Sequence, residues 1–401
     1  MSSPIDAPSA PEVRPPAAAS PLTALLEASL RLLLLAGLLV SVVLPLQGHP
    51  PAQLVPALMI FGVLGAGYLL LSTDGVARGV RAAGQRHPLL MALPPLLLLL
   101  PVLAVNRAAN TPADLTSALS ALIFAFLPPA LALINTPRLR LSDVGLGLVA
   151  VAAPLTLSVA KGQVLGGTEI ALRLGAFALP VLLLIFTTRE QKARLNFLLL
   201  CAALMLWYGV EFGALPDVVL PPMGDADGGQ YFRLAVLPLF LYTLALGGKF
   251  EGLGLRFAPA ARDVAPVLGY TAAALVLLLP AALLTGFVTF RWTAPAPVTA
   301  ALELVGIYLT IALPEEILFR GFLLRYFNHS LAWSPAAIVA LSALVFGAAH
   351  LNNPPQVGLY FVLATIAGVI YARVFLATRS VTASATVHAL VDWIWTLAFP
   401  R

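Results

Sequence analysis

Apolar runs of about 17 to 25 residues recur along the whole chain, the length a helix needs to cross the hydrocarbon core of a bilayer. Inside such a core every backbone N–H and C=O must be satisfied by the chain itself, which leaves helices or a closed barrel. A barrel would show shorter segments of alternating polarity, and none occur. Of the 401 residues, 60% are hydrophobic and only 10% charged, against roughly 25% charged in a soluble domain. The chain reads as an all-α polytopic membrane protein.

By hydropathy the segments fall at about 22–46, 54–72, 89–105, 115–135, 144–160, 170–186, 195–214, 232–247, 264–288, 299–327, 335–351, 358–376 and 382–399. They predict a bundle of about 13 transmembrane helices. Residues 1–21, rich in Pro, Ala and Ser, read as a disordered tail. No charged n-region and cleavage site frame the next run, so it is predicted to be a retained helix and not a removed signal. The division that follows is 22–114 as N-terminal transmembrane helices of undefined role, 115–263 as accessory helices, and 264–401 as the core that carries chemistry.

Charge adds an orientation. Arg78, Arg81 and Arg86 in the predicted loop 74–87, then Arg138 and Arg140, Arg189, Lys192 and Arg194, and Lys249, Arg256 and Arg262 fall in alternate loops. The intervening loops are poor in Lys and Arg, and one carries Asp217, Asp225 and Asp227. This bias predicts a multi-pass cell-membrane protein with a cytoplasmic N-terminus. The net charge of +5 is small for this length and is no nucleic-acid footprint. Arg31, Lys161 and Arg173, near segment ends, are expected to snorkel to the interface. The lone Cys201 rules out an intramolecular disulfide, and its apolar setting argues against a catalytic thiol.

Against this background one stretch is costly: Leu313-Pro-Glu-Glu-Ile-Leu-Phe-Arg-Gly321. A carboxylate at membrane depth is unfavourable by several kcal/mol unless it is paired or faces a polar cavity. On a helix Glu316 and Arg320 are i,i+4 neighbours suited to an ion pair. Glu315 lies about 100° round the axis and faces elsewhere. Pro314 removes a backbone donor and predicts a kink. Two later segments supply partners, Phe346-Gly-Ala-Ala-His350 and His388-Ala-Leu-Val-Asp392, the latter an i,i+4 pair.

These three motifs, EExxxR, FxxxH and HxxxD in that order, resemble the CPBP family of intramembrane proteases, which includes CAAX prenyl endopeptidases and bacterial Abi-type proteins. The resemblance runs from about 260 to the C-terminus and extends back toward about 115. It implies a glutamic-type hydrolase in which Glu315 and His350 activate water while His388 and Asp392 serve the oxyanion. Glu316, Arg320 and Phe346 are expected to support that site. The implied partners are a membrane-associated peptide or protein substrate and the bilayer, with no nucleic acid.

The residues also leave other chemistry open. Two histidines with carboxylates form a familiar zinc set, so Glu315, His350, His388 and Asp392 are alternative zinc ligands. No HExxH occurs, and the resemblance favours a site without a cofactor. A non-proteolytic proton-coupled transporter using the same intramembrane groups, or a scaffold keeping them as a helix clamp, is the reading from other classes. A mid-depth chamber also poses a depth problem. Direct spans would carry His350 toward one membrane face and His388 toward the other, so helices of unequal length or a re-entrant piece are required.

Overall fold

The computed structural model describes residues 21–43, 51–87, 255–351 and 356–399, together with Gly167. Among them every regular element is helical and none is a strand. The N-terminal elements are α1 (Pro21–Val43), α2 (Pro51–Leu71) and α3 (Asp74–Arg86). The C-terminal ones are α4 (Ala261–Leu284), a composite α5 over 297–330, α6 (Pro335–Ala348), α7 (Val357–Thr378) and α8 (Val381–Ala398). Four are long and apolar enough to cross a membrane: Pro21–Ser41, Ala261–Leu284, Pro297–Asn328 and Val357–Thr378. The described residues are thus all-helical, and their candidate spans make this a multi-pass membrane protein. The expected tail 1–20, the spans expected between 89 and 247, Cys201, Lys161, Arg173 and the expected acidic loop lie outside the described residues.

Two local expectations change. Residues 74–86, expected as a charged loop, form α3. Its Val76, Val80 and Ala83 recur at helical spacing opposite Arg78, so an interfacial helix satisfies the pattern as a loop would not. At Pro314 the helix expected to kink changes its winding while running on unbroken. α5 runs as α-helix over Pro297–Ile307, π-helix over Tyr308–Ala312, one α-turn over Leu313–Glu316, π-helix over Ile317–Leu324 and α-helix over Arg325–Ser330. A wider turn ahead of the proline relieves its clash with the carbonyl four residues back. It also frees carbonyls from the ordinary ladder, and the Phe319 carbonyl accepts from Ser342 Oγ of α6 at 3.4 Å.

Capping sets the other ends. Ser334 and Ser380 precede α6 and α8, and their hydroxyls accept from the amides of Ala337 and Ala383 at 3.3 and 3.2 Å. α7 closes with Arg379 in the left-handed region, φ 54°, which turns the chain into α8 within two residues. The core packs α6 along α7, α4 against α7 and α8, and α8 against α5. α1 packs on α2 and on the first turns of α5. Leucines on the outer faces of α1 and α4, such as Leu22, Leu268 and Leu284, remain exposed.

Arg31 does not snorkel. It pairs with Glu27 at 3.5 Å, donates to the Leu69 carbonyl and to Ser72 Oγ, and stacks 4.5 Å over the Phe257 ring. Glu27 in turn accepts the backbone amides of Phe257 and Ala258 at 3.1 and 3.0 Å. A charge that reaches the interface can leave its partners. This one is consumed in clamping α1 and α2 to the segment that leads into α4.

Close approach of α6 and α7 requires glycine. A Cβ at Gly347 would fall 2.0 Å from Thr365 Oγ1 and 2.8 Å from the Phe361 carbonyl, whereas one at Gly358 would meet nothing within 4 Å. Gly347→Ala is therefore expected to cost about 1–3 kcal/mol through overpacking. Gly358→Ala should be neutral or stabilising. Thermal unfolding of the two variants in detergent tests the contrast.

Candidate active site

α5, α6, α7 and α8 each contribute to one polar knot inside an apolar surround. Its centre is Glu316 on the single α-turn between the two π-wound stretches. Glu316 and Arg320 are completely buried, and Arg320 is the largest fully buried side chain described. The i,i+4 spacing brings Arg320 Nη1 to Glu316 Oε1 at 2.8 Å, the geometry of a charge-assisted hydrogen bond. Arg320 Nη2 donates to the Gly368 carbonyl of α7 at 3.0 Å. The guanidinium also lies over the Phe346 ring at 4.5 Å and the Tyr371 ring at 5.4 Å. Those rings offer it the negative face of their quadrupoles.

The second carboxylate oxygen of Glu316 accepts from Ser384 Oγ of α8 at 2.6 Å. One turn further along α8, His388 Nδ1 lies 3.1 Å from Glu316 Oε1. The ring is held flat as well, stacked on Tyr371 with centroids 4.5 Å apart and planes 18° from parallel. Carboxylate and tyrosine together fix which nitrogen points where. The free direction belongs to Nε2, which lies 3.3 Å from Asp392 Oδ2 and 4.0 Å from Glu315 Oε2.

Glu315 is about one-fifth exposed and Asp392 about one-third, whereas Glu316 is sealed. Adjacent residues in sequence thus occupy different environments. Glu316 is walled in by α8, and Glu315 meets the more open side of the same imidazole.

His350 lies on the turn that follows α6 and connects to the site through Phe346. Its Nδ1 donates to the Phe346 carbonyl at 2.9 Å, so in the neutral ring Nε2 carries the lone pair. Phe346 stands between the two histidines, its centroid 4.9 Å from His350 and 5.7 Å from His388. It touches Arg320, His350 and His388 together, which explains an aromatic four residues before His350 as a packing wedge. Tyr360 of α7 stacks on the other side of His350 at 5.2 Å.

The unequal helix lengths that a mid-depth site requires are present. α6 has 14 residues and rises about 21 Å, short of a hydrocarbon core of about 30 Å. His350 lies just past its end.

Ser384 and Tyr371, which complete the setting of His388, were not singled out by sequence reasoning. Ser384 carries a readable signal, since it stands four residues before His388 and shares its helical face. Tyr371 carries none, being one aromatic among many on an apolar helix. Among the described residues no group of three His, Cys, Asp or Glu side chains is arranged to hold a metal ion.

Residues 297–394 match the family model described as Type II CAAX prenyl endopeptidase Rce1-like, so the resemblance to the CPBP family is shown over that quarter of the chain. No curated protein and no solved structure matches the chain. The matched stretch holds Glu315, Glu316, Arg320, Phe346, His350, His388 and Asp392.

Removing Arg320 strands the Glu316 carboxylate in a sealed site. Arg320→Ala is expected to cost about 3–5 kcal/mol of stability. Ser384→Ala removes one neutral donor among several and should cost about 1–3 kcal/mol. Unfolding midpoints in detergent, with folded yield after solubilisation, check the ranking.

Proposed function

We propose that the protein is an intramembrane endopeptidase that hydrolyses a peptide bond near the membrane with a water activated by Glu315 and His350. What carries this reading is the way Glu316 and Tyr371 lock His388 so that its Nε2 faces Glu315 and Asp392, within a stretch that matches a protease family. Glu315 takes a proton from water as the oxygen attacks the scissile carbonyl. His350 Nε2, its lone pair left free by the Nδ1 bond, holds that water. The carbonyl electrons move onto oxygen, where His388 as the imidazolium, its Nδ1–H held by Glu316, donates its Nε2–H to the oxyanion. Collapse expels the amine, which takes its proton back from Glu315. A preorganised donor of this kind contributes about 2.7–4 kcal/mol.

Asp392 flanks His388 Nε2 and the opening of the site. Its task is to hold the imidazole and meet the substrate by hydrogen bonding, which an amide does equally well. By family match the substrate class is a membrane-associated, prenylated C-terminal tail. The N-terminal half of the bundle is proposed to serve docking, and the protein to lie in the cell membrane with its N-terminus cytoplasmic.

One feature favours a second reading. Both histidines have Nδ1 engaged by an oxygen acceptor, the orientation that metal-ligating histidines adopt. Glu315, His350, His388 and Asp392 would hold such a zinc ion and it would activate the same water, although among the described residues no three of these side chains are arranged to hold a metal.

Three measurements separate these readings. Glu315→Gln should fold normally and lose about 10²–10⁴-fold in cleavage of a farnesylated CAAX peptide in lipid nanodiscs. An unchanged rate would remove Glu315 as the base, and absence of cleavage by the wild type would favour a transporter or scaffold. Asp392→Asn should keep activity within about tenfold, or about 1.4 kcal/mol of barrier. Elemental analysis of both proteins should find no stoichiometric zinc. Zinc in the wild type, lost with activity in Asp392→Asn, would replace the water-activating glutamate with a metal.

A further inference from the structure

We infer that the segment between α4 and α5, at Phe290–Trp292, is a docking edge that takes up an extended peptide by backbone hydrogen bonding. The inference rests on the proteolytic reading and adds to it where the substrate backbone is held.

After α4 the chain turns at Gly286, in the left-handed region at φ 66°, and the Gly286 carbonyl accepts from Gln356 Nε2 at 3.3 Å. Further on, the amides of Arg291 and Thr293 donate to the carbonyls of Ala398 and Leu397, both at 2.8 Å. Donors two residues apart that point to the same side are the mark of an extended strand. The segment is thus pinned along the C-terminal end of α8. In a strand the intervening residue presents its N–H and C=O to the opposite edge. For Phe290 and Trp292 no backbone partner occurs there among the described residues. Both side chains are more than half exposed.

The edge is continuous with the site. From His350 a run of rings leads outward: Tyr360 at 5.2 Å, Phe287 at 5.6 Å from Tyr360, Trp395 at 6.2 Å from Phe287, Phe399 at 4.8 Å from Trp395, and Phe290 at 6.3 Å from Phe399. Along α8 itself, Ala398 lies six residues past Asp392, about 9 Å of axial rise.

Extended substrate is a physical necessity here. A peptide bond must leave its helix to be attacked, and bare backbone in or near lipid then lacks partners unless protein supplies them. An open strand edge supplies them without regard to side chains. At about 3.3 Å per residue, a peptide paired at Trp292 reaches the Asp392 level about three residues away. The occupant is therefore the substrate's own backbone, bound about three residues from the scissile bond.

Two probes test this. The first is Trp292→Pro against Trp292→Ala. Proline deletes the outward amide, spares both bonds to α8, and suits the extended Arg291 before it. Alanine deletes only the ring. With the farnesylated CAAX peptide, Trp292→Pro should raise KM roughly three- to tenfold over Trp292→Ala, the range of one backbone hydrogen bond, with kcat nearly unchanged.

The second is a set of the same peptides N-methylated at one amide each, with binding to wild-type protein read by fluorescence polarisation. Affinity should fall at alternate positions, strongest about three residues from the mapped cleavage site. Equal KM for the two variants, or affinities without the alternation, overturns the docking edge. Alternating binding without any cleavage leaves the edge standing and overturns the protease reading. Absence of binding overturns both.

Discussion

The buried pair of Glu316 and Arg320 is the interaction on which the rest of the C-terminal bundle depends. Two full charges without solvent are tolerated only when their remaining hydrogen-bonding capacity is met by protein. Here that demand recruits the neighbours. Arg320 takes a carbonyl from α7 and the faces of Phe346 and Tyr371, and Glu316 takes a hydroxyl and an imidazole from α8. The positions of α6, α7 and α8 around α5 thus follow from satisfying one ion pair. Hydrophobic contact alone would not select them, since in lipid apolar faces gain little by meeting one another.

The same demand explains the division of labour between adjacent glutamates. Glu316 is spent on structure, and its reward is a fixed imidazole. Glu315, displaced round the axis, shares that imidazole from its open side. The change of winding on either side of the Leu313–Glu316 turn belongs to this arrangement. π-wound stretches recur at functional sites because they re-aim side chains and release backbone carbonyls. Here Ser342 collects one of those carbonyls and ties α6 to α5. Small residues then let the backbones close up, with Gly347 against Thr365 and Gly368 against Ala343.

At the other end of the described residues a second polar clamp appears, between Glu27, Arg31 and the chain entering α4. It uses the same device, charge satisfied by backbone, to attach an N-terminal hairpin to the core. The Glu27 clamp bridges about 230 residues of sequence and the Glu316 clamp 48 to 72.

The sequence by itself determined the class of the protein, because segment length and apolar content answer to bilayer thickness and to the cost of unsatisfied backbone. It also determined the i,i+4 pairs Glu316–Arg320 and His388–Asp392, since helical periodicity alone makes them neighbours. Its segments at 264–288, 299–327, 358–376 and 382–399 lie within a few residues of α4, α5, α7 and α8. Local pattern failed wherever a distant partner decides. Arg31 reads as a snorkelling side chain until Glu27 and Phe257 are brought to it, and Pro314 reads as a break until the flanking turns widen. Ser384 and Tyr371 acquire meaning only when α7 and α8 fold back on α5. Periodicity is a property of one helix, but the direction of an imidazole nitrogen is set by several at once, and only the tertiary structure decides it.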